Sequence, residues 1–193
     1  METEVLSVEN LINAYSNGWF PMADVNGLTK WYAPETRAIF PFYKLKPVHS
    51  MVKFIEKNNI SFSIDYDFDF VIRQCANREM TWITPNIIEA YINLYESGYA
   101  HSIETWYNNR IVGGLYGVSI NSAFFGESMF SLISNASKAA FYCLITQLKR
   151  KDFILLDSQF INNFTAQLGA VEISKNLYEH FLYIALKKEN KFI

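Results

Sequence analysis

Two carboxylates stand where chemistry could be done. Asp157 falls where the apolar run FILL ends and SQF begins, just past a buried strand. A carboxylate there sits at the strand's C-terminal mouth, where open α/β sheets place ligands. Glu127 and Met129 lie inside a second apolar stretch, AFFGESMF, and Asn135 opens the helix between the two. A carboxylate in an apolar strand is costly unless paired. Its partner is either internal, such as Lys138, or a basic group on a ligand. Asp157 on its own reads first as a helix or turn cap after a strand, and as a site residue second.

The elements that must position these residues follow from pattern. Residues 123–157 read as an aromatic strand, an amphipathic helix burying Ala136, Ala139, Ala140, Cys143, Leu144 and Leu148, and a parallel return strand. The helix ends in Lys149-Arg150-Lys151, which complements its dipole and needs no other partner. Upstream lie two strands, AHSIETWY and RIVGGLYGVSI, with turns at Asn108-Asn109 and Asn121-Ser122. Gly113-Gly114 inside a strand suggests a bulge or the close approach of a ligand. Thr84 and Pro85 open a helix whose buried stripe is Ile87, Ile88, Tyr91, Leu94 and Tyr95, and Gly98 stops it. Earlier helices are marked by Leu11, Ala14 and Tyr15, by Val48, Met51, Val52 and Ile55, and by Phe68, Val71, Ile72 and Cys75; ISFSIDY alternates like a strand. Downstream come a short helix from Asn162 to Leu168, the strand AVEIS and a last helix from Lys175 to Lys187. Residues 1–35, broken by Pro21, Gly27 and Pro34, form a small N-terminal appendage or lid, and residues 36–193 the main domain.

A helical start, an antiparallel meander, a crossover helix and a parallel strand make an α+β sheet of N-acetyltransferase-like order. Coenzyme A is disfavoured as donor: the helix start reads SLISNASK, without the glycine that lets backbone N–H groups approach a diphosphate.

The 193 residues suit one domain with a small addition, and a formal charge of −2 advertises no general affinity for nucleic acid. An aromatic share of 17% fits a large core or an apolar, base-stacking pocket. Two Cys and three His lack metal-ligand spacing, so no metal is expected. No apolar run approaches the roughly 20 residues of a membrane span, and the first residues do not read as a signal peptide, so the expected location is the cytoplasm.

The blocks WFP, TWITPNIIEAY, SGYAHSIETW, VGGLYGV, FFGESMFS, NASK, LLDSQFINN and LGAVEI run from about Trp19 to Tyr178. In that order the chain resembles the leucyl/phenylalanyl-tRNA–protein transferases. The resemblance implies an enzyme without cofactor that moves Leu or Phe, with Met a further candidate, from aminoacyl-tRNA to proteins beginning with Arg or Lys, marking them for degradation. It implies Asp157 and Gln159 as the catalytic pair, and Glu127 with Asp157 facing the basic acceptor. The amino-acid side-chain pocket falls on Leu115, Phe124, Met129 and Leu144, and the tRNA-end region on Trp82, Tyr91 and Met22. The family's FPW is FPM here, a longer N-terminal segment ending in Gly-Gly-Asp is missing, and the basic patch thins to Lys53 and Lys57. An adaptor that binds basic N-termini without catalysis and a small-molecule acyltransferase are the competing readings; an oxyanion donor such as Gln159 favours catalysis. A monomer is expected. Strand parity puts Glu127 and Met129 on one face and Phe124 on the other, so a shared site requires a bulge near Gly126.

Overall fold

The computed structural model describes residues 6–193; the first five residues of the expected appendage lie outside the described residues. Helix α1 (Val8–Ser16) is capped by Ser7, whose side chain accepts from the Asn10 N–H. A hairpin follows, β1 (Phe20–Ala23) with β2 (Thr29–Tyr32), and then β3 (Thr36–Ile39). Beyond a 3-10 turn at Phe42–Lys44 come α2 (His49–Lys57), β4 (Ser61–Ile64), α3 (Phe68–Ala76) and α4 (Pro85–Glu96). The meander is β5 (Ala100–Tyr107), β6 (Arg110–Ile120) and β7 (Ala123–Ser131), and α5 (Ala136–Arg150) crosses to β8 (Leu155–Gln159). The chain ends with α6 (Asn163–Gln167), β9 (Val171–Ser174) and α7 (Lys175–Lys187).

The main sheet runs β4-β5-β6-β7-β8-β3-β9, antiparallel except for the β7–β8 pair. That is the α+β, acetyltransferase-like arrangement expected from the order of elements. β3 was not legible as a strand: it is four residues long, and it fills the space between β8 and β9.

Two core layers flank the sheet. One joins α1, α3, α4 and α7 through Leu11, Tyr15, Val71, Ile72, Ile87, Tyr91 and Leu182. The other joins α5 to the opposite face through Leu115, Phe124, Leu144, Leu148 and Leu156. Tyr15 and Phe20 belong to the first layer, so the first 35 residues share a core with the sheet.

Three local features refine the expectation. The bulge expected at Gly113-Gly114 is present, since Thr105 pairs with Gly113 and Trp106 with Ile111, leaving Val112 extra. The close approach at Gly113 is that of α5, where an added Cβ would lie 2.5 Å from the Ala136 Cβ. Asn135 opens α5 in the left-handed conformation (φ 69°) without a side-chain cap; Ser131 Oγ accepts from the Ser137 N–H instead. Of the α4 stripe, Ile87, Tyr91 and Leu94 are buried, while Ile88 and Tyr95 are half-buried and Ala90 joins the buried set.

Candidate active site

Backbone pairing builds the site. β7 and β8 pair only over Ala123–Phe125 with Leu155–Asp157, yet β7 runs on to Ser131 and β8 to Gln159. Beyond the last pair the two strands part. On its other edge β7 shifts register against β6: Tyr116 pairs with Ser128 and Gly117 with Gly126, so Glu127 is an extra residue in a bulge. The bulge returns Phe124 to the face of Met129 and Leu115, as a shared site requires, and re-aims Glu127.

Glu127 meets three neutral donors. Tyr15 Oη donates to Oε1 at 2.7 Å, Gln159 Nε2 to Oε1 at 2.8 Å and Tyr91 Oη to Oε2 at 3.3 Å. The Tyr15 and Tyr91 hydroxyls also lie in hydrogen-bond contact with each other. The two phenol protons fill two of the three contacts among Tyr15, Tyr91 and Glu127 at a time, and the third is filled when Glu127 carries its own proton. Burial pushes the Glu127 carboxyl up to about 8, and the Tyr15 and Tyr91 hydrogen bonds pull the other way. Lys138 takes no part; its ammonium lies over the Phe164 ring.

Asp157 is enclosed. Arg37 Nε donates to Oδ1 at 3.0 Å and Nη2 to Oδ2 at 2.7 Å, a bidentate pair. Tyr178 Oη donates to Oδ2 at 2.8 Å and the Gln159 backbone N–H to Oδ1 at 2.8 Å. The carboxylate has no exposed surface, and its lone-pair directions are taken. The Arg37 guanidinium lies between the Phe20 and Tyr178 rings, 4.5 and 4.6 Å from their centroids, and its Nη1 donates to the Gly18 carbonyl at 3.0 Å. Burial opposes the Arg37 charge, but Asp157 outweighs it and holds the group above its ordinary value. The Asp157–Gln159 contact also holds Gln159 at φ +56°, a conformation a non-glycine residue rarely adopts unaided.

A cavity of about 510 Å³ opens where the strands part. Leu115, Met129 and Leu144 line its apolar depth, and Glu127 and Gln159 its polar wall. Phe124 is not on the lining; it lies in the packed layer with Leu115 and Leu144, with no exposed surface. Met22 and Trp82 line the rim with Phe20 and Phe160, whose rings meet edge-on at 5.4 Å. Tyr91 is fully buried and reaches Glu127 from the core side, away from the rim where it was expected. Arg78 lies at the mouth, its side chain donating to the Cys75 carbonyl at 2.8 Å, to Ser128 Oγ at 2.8 Å and to the Met129 carbonyl at 3.3 Å.

Tyr15, Arg37 and Tyr178 were not legible as site residues. Tyr15 reads as part of the apolar face of the first helix, Tyr178 falls in the last helix without a role, and Arg37 stands at the start of the main domain. The one available signal was Arg37 beside the apolar run AIF, where a charge needs a partner.

A family model described as leucyl/phenylalanyl-tRNA protein transferase matches residues 39–183, and one for that family's N-terminal domain matches residues 4–35. The chain is 43% identical over 188 residues to a leucyl/phenylalanyl-tRNA–protein transferase of Gloeobacter violaceus, with 97% of each chain covered. It is 42% identical to that of Salinibacter ruber, covering 94% of this chain and 80% of the relative. With that of Chlorobium luteolum it shares 40% over 194 residues, 98% of this chain and 100% of the relative. Among solved structures, a ribosomal-protein-alanine N-acetyltransferase of Brucella melitensis biovar Abortus is similar at a TM-score of 0.42 and 12% identity, over 56% of this chain and 86% of that one. L-PGS from Bacillus licheniformis is similar at a TM-score of 0.48 and 11% identity, over 80% and 51%.

Proposed function

The chain belongs to the leucyl/phenylalanyl-tRNA–protein transferase family, and on that premise we propose that it moves Leu or Phe from aminoacyl-tRNA to the N-terminal α-amine of proteins beginning with Arg or Lys. Met is a further candidate donor. Tagged proteins are thereby marked for degradation, and the enzyme works as a monomer in the cytoplasm. No helix among the described residues is long and apolar enough to cross a membrane, which accords with that setting.

The observation that carries the reading is the Glu127–Gln159 contact at the head of an apolar cavity. Leu115, Met129 and Leu144 receive the amino-acid side chain, backed by Phe124. Burying a Leu or Phe there contributes about 1.5–3 kcal/mol. The thioether of Met129 adapts to both shapes. Trp82 and Met22, with Phe20 and Phe160, receive the terminal adenosine, which puts the aminoacyl ester beside Gln159. The residues 1–35 act as the part of the site that delivers Phe20, Met22 and Tyr15.

The ester is activated by its neighbouring hydroxyl, so orientation and stabilisation of the oxyanion remain to be supplied. The Gln159 side-chain amide has two N–H bonds. One serves Glu127, and the second is free to serve the oxyanion. Glu127 faces the cationic N-terminus of the acceptor. Asp157, with its oxygens engaged, acts as the residue that positions Gln159 and contacts no substrate.

The test is transfer of labelled Phe from charged tRNA to a peptide beginning with Arg. Transfer is expected with the wild type. Its absence, with intact protein and charged tRNA, would overturn the reading in favour of a binding protein.

A further inference from the structure

The two carboxylates of the site differ in a way that decides what each can do. Asp157 is locked in an ion pair. Glu127 is held by neutral groups alone among the described residues: the phenols of Tyr15 on α1 and Tyr91 on α4, and the amide of Gln159 on β8. The cations near it are committed elsewhere. Arg37 on β3 donates to Asp157 and the Gly18 carbonyl, and Arg78 after α3 donates to Cys75, Ser128 and Met129. Of the remaining titratable groups around it, Tyr178 on α7 donates to Asp157, and Tyr116 on β6 is fully buried with no hydrogen-bond partner for its hydroxyl. A carboxylate held this way can gain and lose a proton without breaking an ion pair. It also lines the cavity, so a substrate amine can reach it.

We propose that Glu127 takes the proton of the acceptor's α-ammonium, and that Tyr15 and Tyr91 are positioning residues that keep the carboxylate aimed and charged for that step. The inference rests on the transferase reading above. One proton passes from the ammonium to a Glu127 oxygen, leaving a neutral amine. The amine lone pair forms the C–N bond at the ester carbonyl, whose π electrons move to the oxygen near Gln159. When that oxyanion collapses, the C–O ester bond breaks and the ribose oxygen leaves with a proton from the attacking nitrogen. The Glu127 proton then passes to solvent. The products are the amide, the tRNA hydroxyl and one proton.

Energetic matching supports the step. Burial brings the carboxyl to about 8. A peptide α-amine lies near 8 as well, so the proton moves between groups of similar basicity. The phenol hydrogen bonds stabilise the charged form, so removing them raises the carboxyl further.

The experiment measures kcat/KM for an Arg-initial peptide from pH 6 to 9 with wild type, Tyr15→Phe, Tyr91→Phe and the double variant. An upward shift of one unit in Glu127 makes the double variant about tenfold slower at pH 6 and only about twofold slower at pH 9. The peptide's own amine cannot cause this, because its ionisation in free solution is the same for every variant. A deficit of equal size at every pH, or none, overturns the inference while leaving the transferase reading intact. No transfer by wild type at any pH overturns the transferase reading instead. A second measurement needs no turnover: titration of the Glu127 side-chain carboxyl by carbon NMR in folded wild-type protein. A midpoint near 8 that rises in Tyr15→Phe supports the proposal, and a midpoint in the ordinary carboxylate range overturns it.

Discussion

Gln159 and Glu127 meet across the gap between β8 and β7, Nε2 to Oε1 at 2.8 Å. Neither would reach the other from a regular strand. Glu127 is displaced by its bulge, and Gln159 by a left-handed backbone that the Asp157 carboxylate holds through its N–H. The contact is therefore a product of backbone irregularity on two strands, and its supports are the residues whose change tells most.

Replacing Asp157 by Asn is expected to damage both fold and function. It leaves the buried Arg37 guanidinium without its bidentate partner, and breaking such a pair costs about 3–5 kcal/mol. Urea unfolding should show that loss, and transfer of Phe should fall steeply even where the variant remains folded, because Gln159 loses its anchor. Unchanged stability would show that the pair contributes little.

Glu127 gives the fold a pH signature. Its carboxyl lies near 4.5 in a free chain and about 8 in the folded protein. A raised value means that this group's stabilising contribution is fully present below about 4.5 and is lost as pH rises through 8, by at most about 1.4 kcal/mol per pH unit. Glu127→Gln cannot titrate. Between pH 5 and 8 the wild type should lose unfolding free energy relative to this variant. Parallel curves would mean that the folded state leaves Glu127 unshifted.

Leu144 tests the cavity. Leu144→Ala removes a buried side chain at a typical cost of about 2–5 kcal/mol and deepens the space beside Leu115 and Met129. Transfer of Leu should fall more than transfer of Phe, since the larger donor side chain refills part of the gap. Equal losses for both would place the donor side chain elsewhere.

The tRNA grip should be shallow in salt. Arg78 is the basic side chain on the cavity lining, and Lys53 and Lys57 lie on α2, so few phosphate contacts are available. Stacking at the Trp82 and Phe160 rim, worth about 1–3 kcal/mol per base, should carry most of the hold on the terminal adenosine. An aminoacyl-adenosine should then serve almost as well as charged tRNA. A steep salt slope for the tRNA, on the order of six or more phosphate contacts, would reveal a basic surface outside the cavity.

How much of this was legible in the sequence follows from the range of the forces involved. α4 was legible because its cap, its first-turn proline and its buried stripe are all local, and Thr84 does accept from the Ile87 N–H. The bulge at Glu127 was legible as a condition, because period-two alternation must break for Phe124 and Met129 to share a face. Tyr15 was not legible as a site residue, since its bond to Glu127 spans 112 positions and an amphipathic helix hides one useful phenol among its core residues. Arg37 was not legible for the same reason. Its partner is 120 positions away, and only the pairing of β3 beside β8 brings them together.

The most direct measurement compares initial rates of Phe transfer from charged tRNA to peptides that differ only in their first residue, Arg or Ala, with wild type and Glu127→Gln. Wild type should use the Arg peptide far better. The substitution should lower transfer to both peptides, since each offers an α-ammonium that needs the base, but lower it more for the Arg peptide until the two are nearly equal. An undiminished preference for Arg in Glu127→Gln would contradict it, because the acceptor's charge would then be met somewhere other than at the Glu127–Gln159 junction.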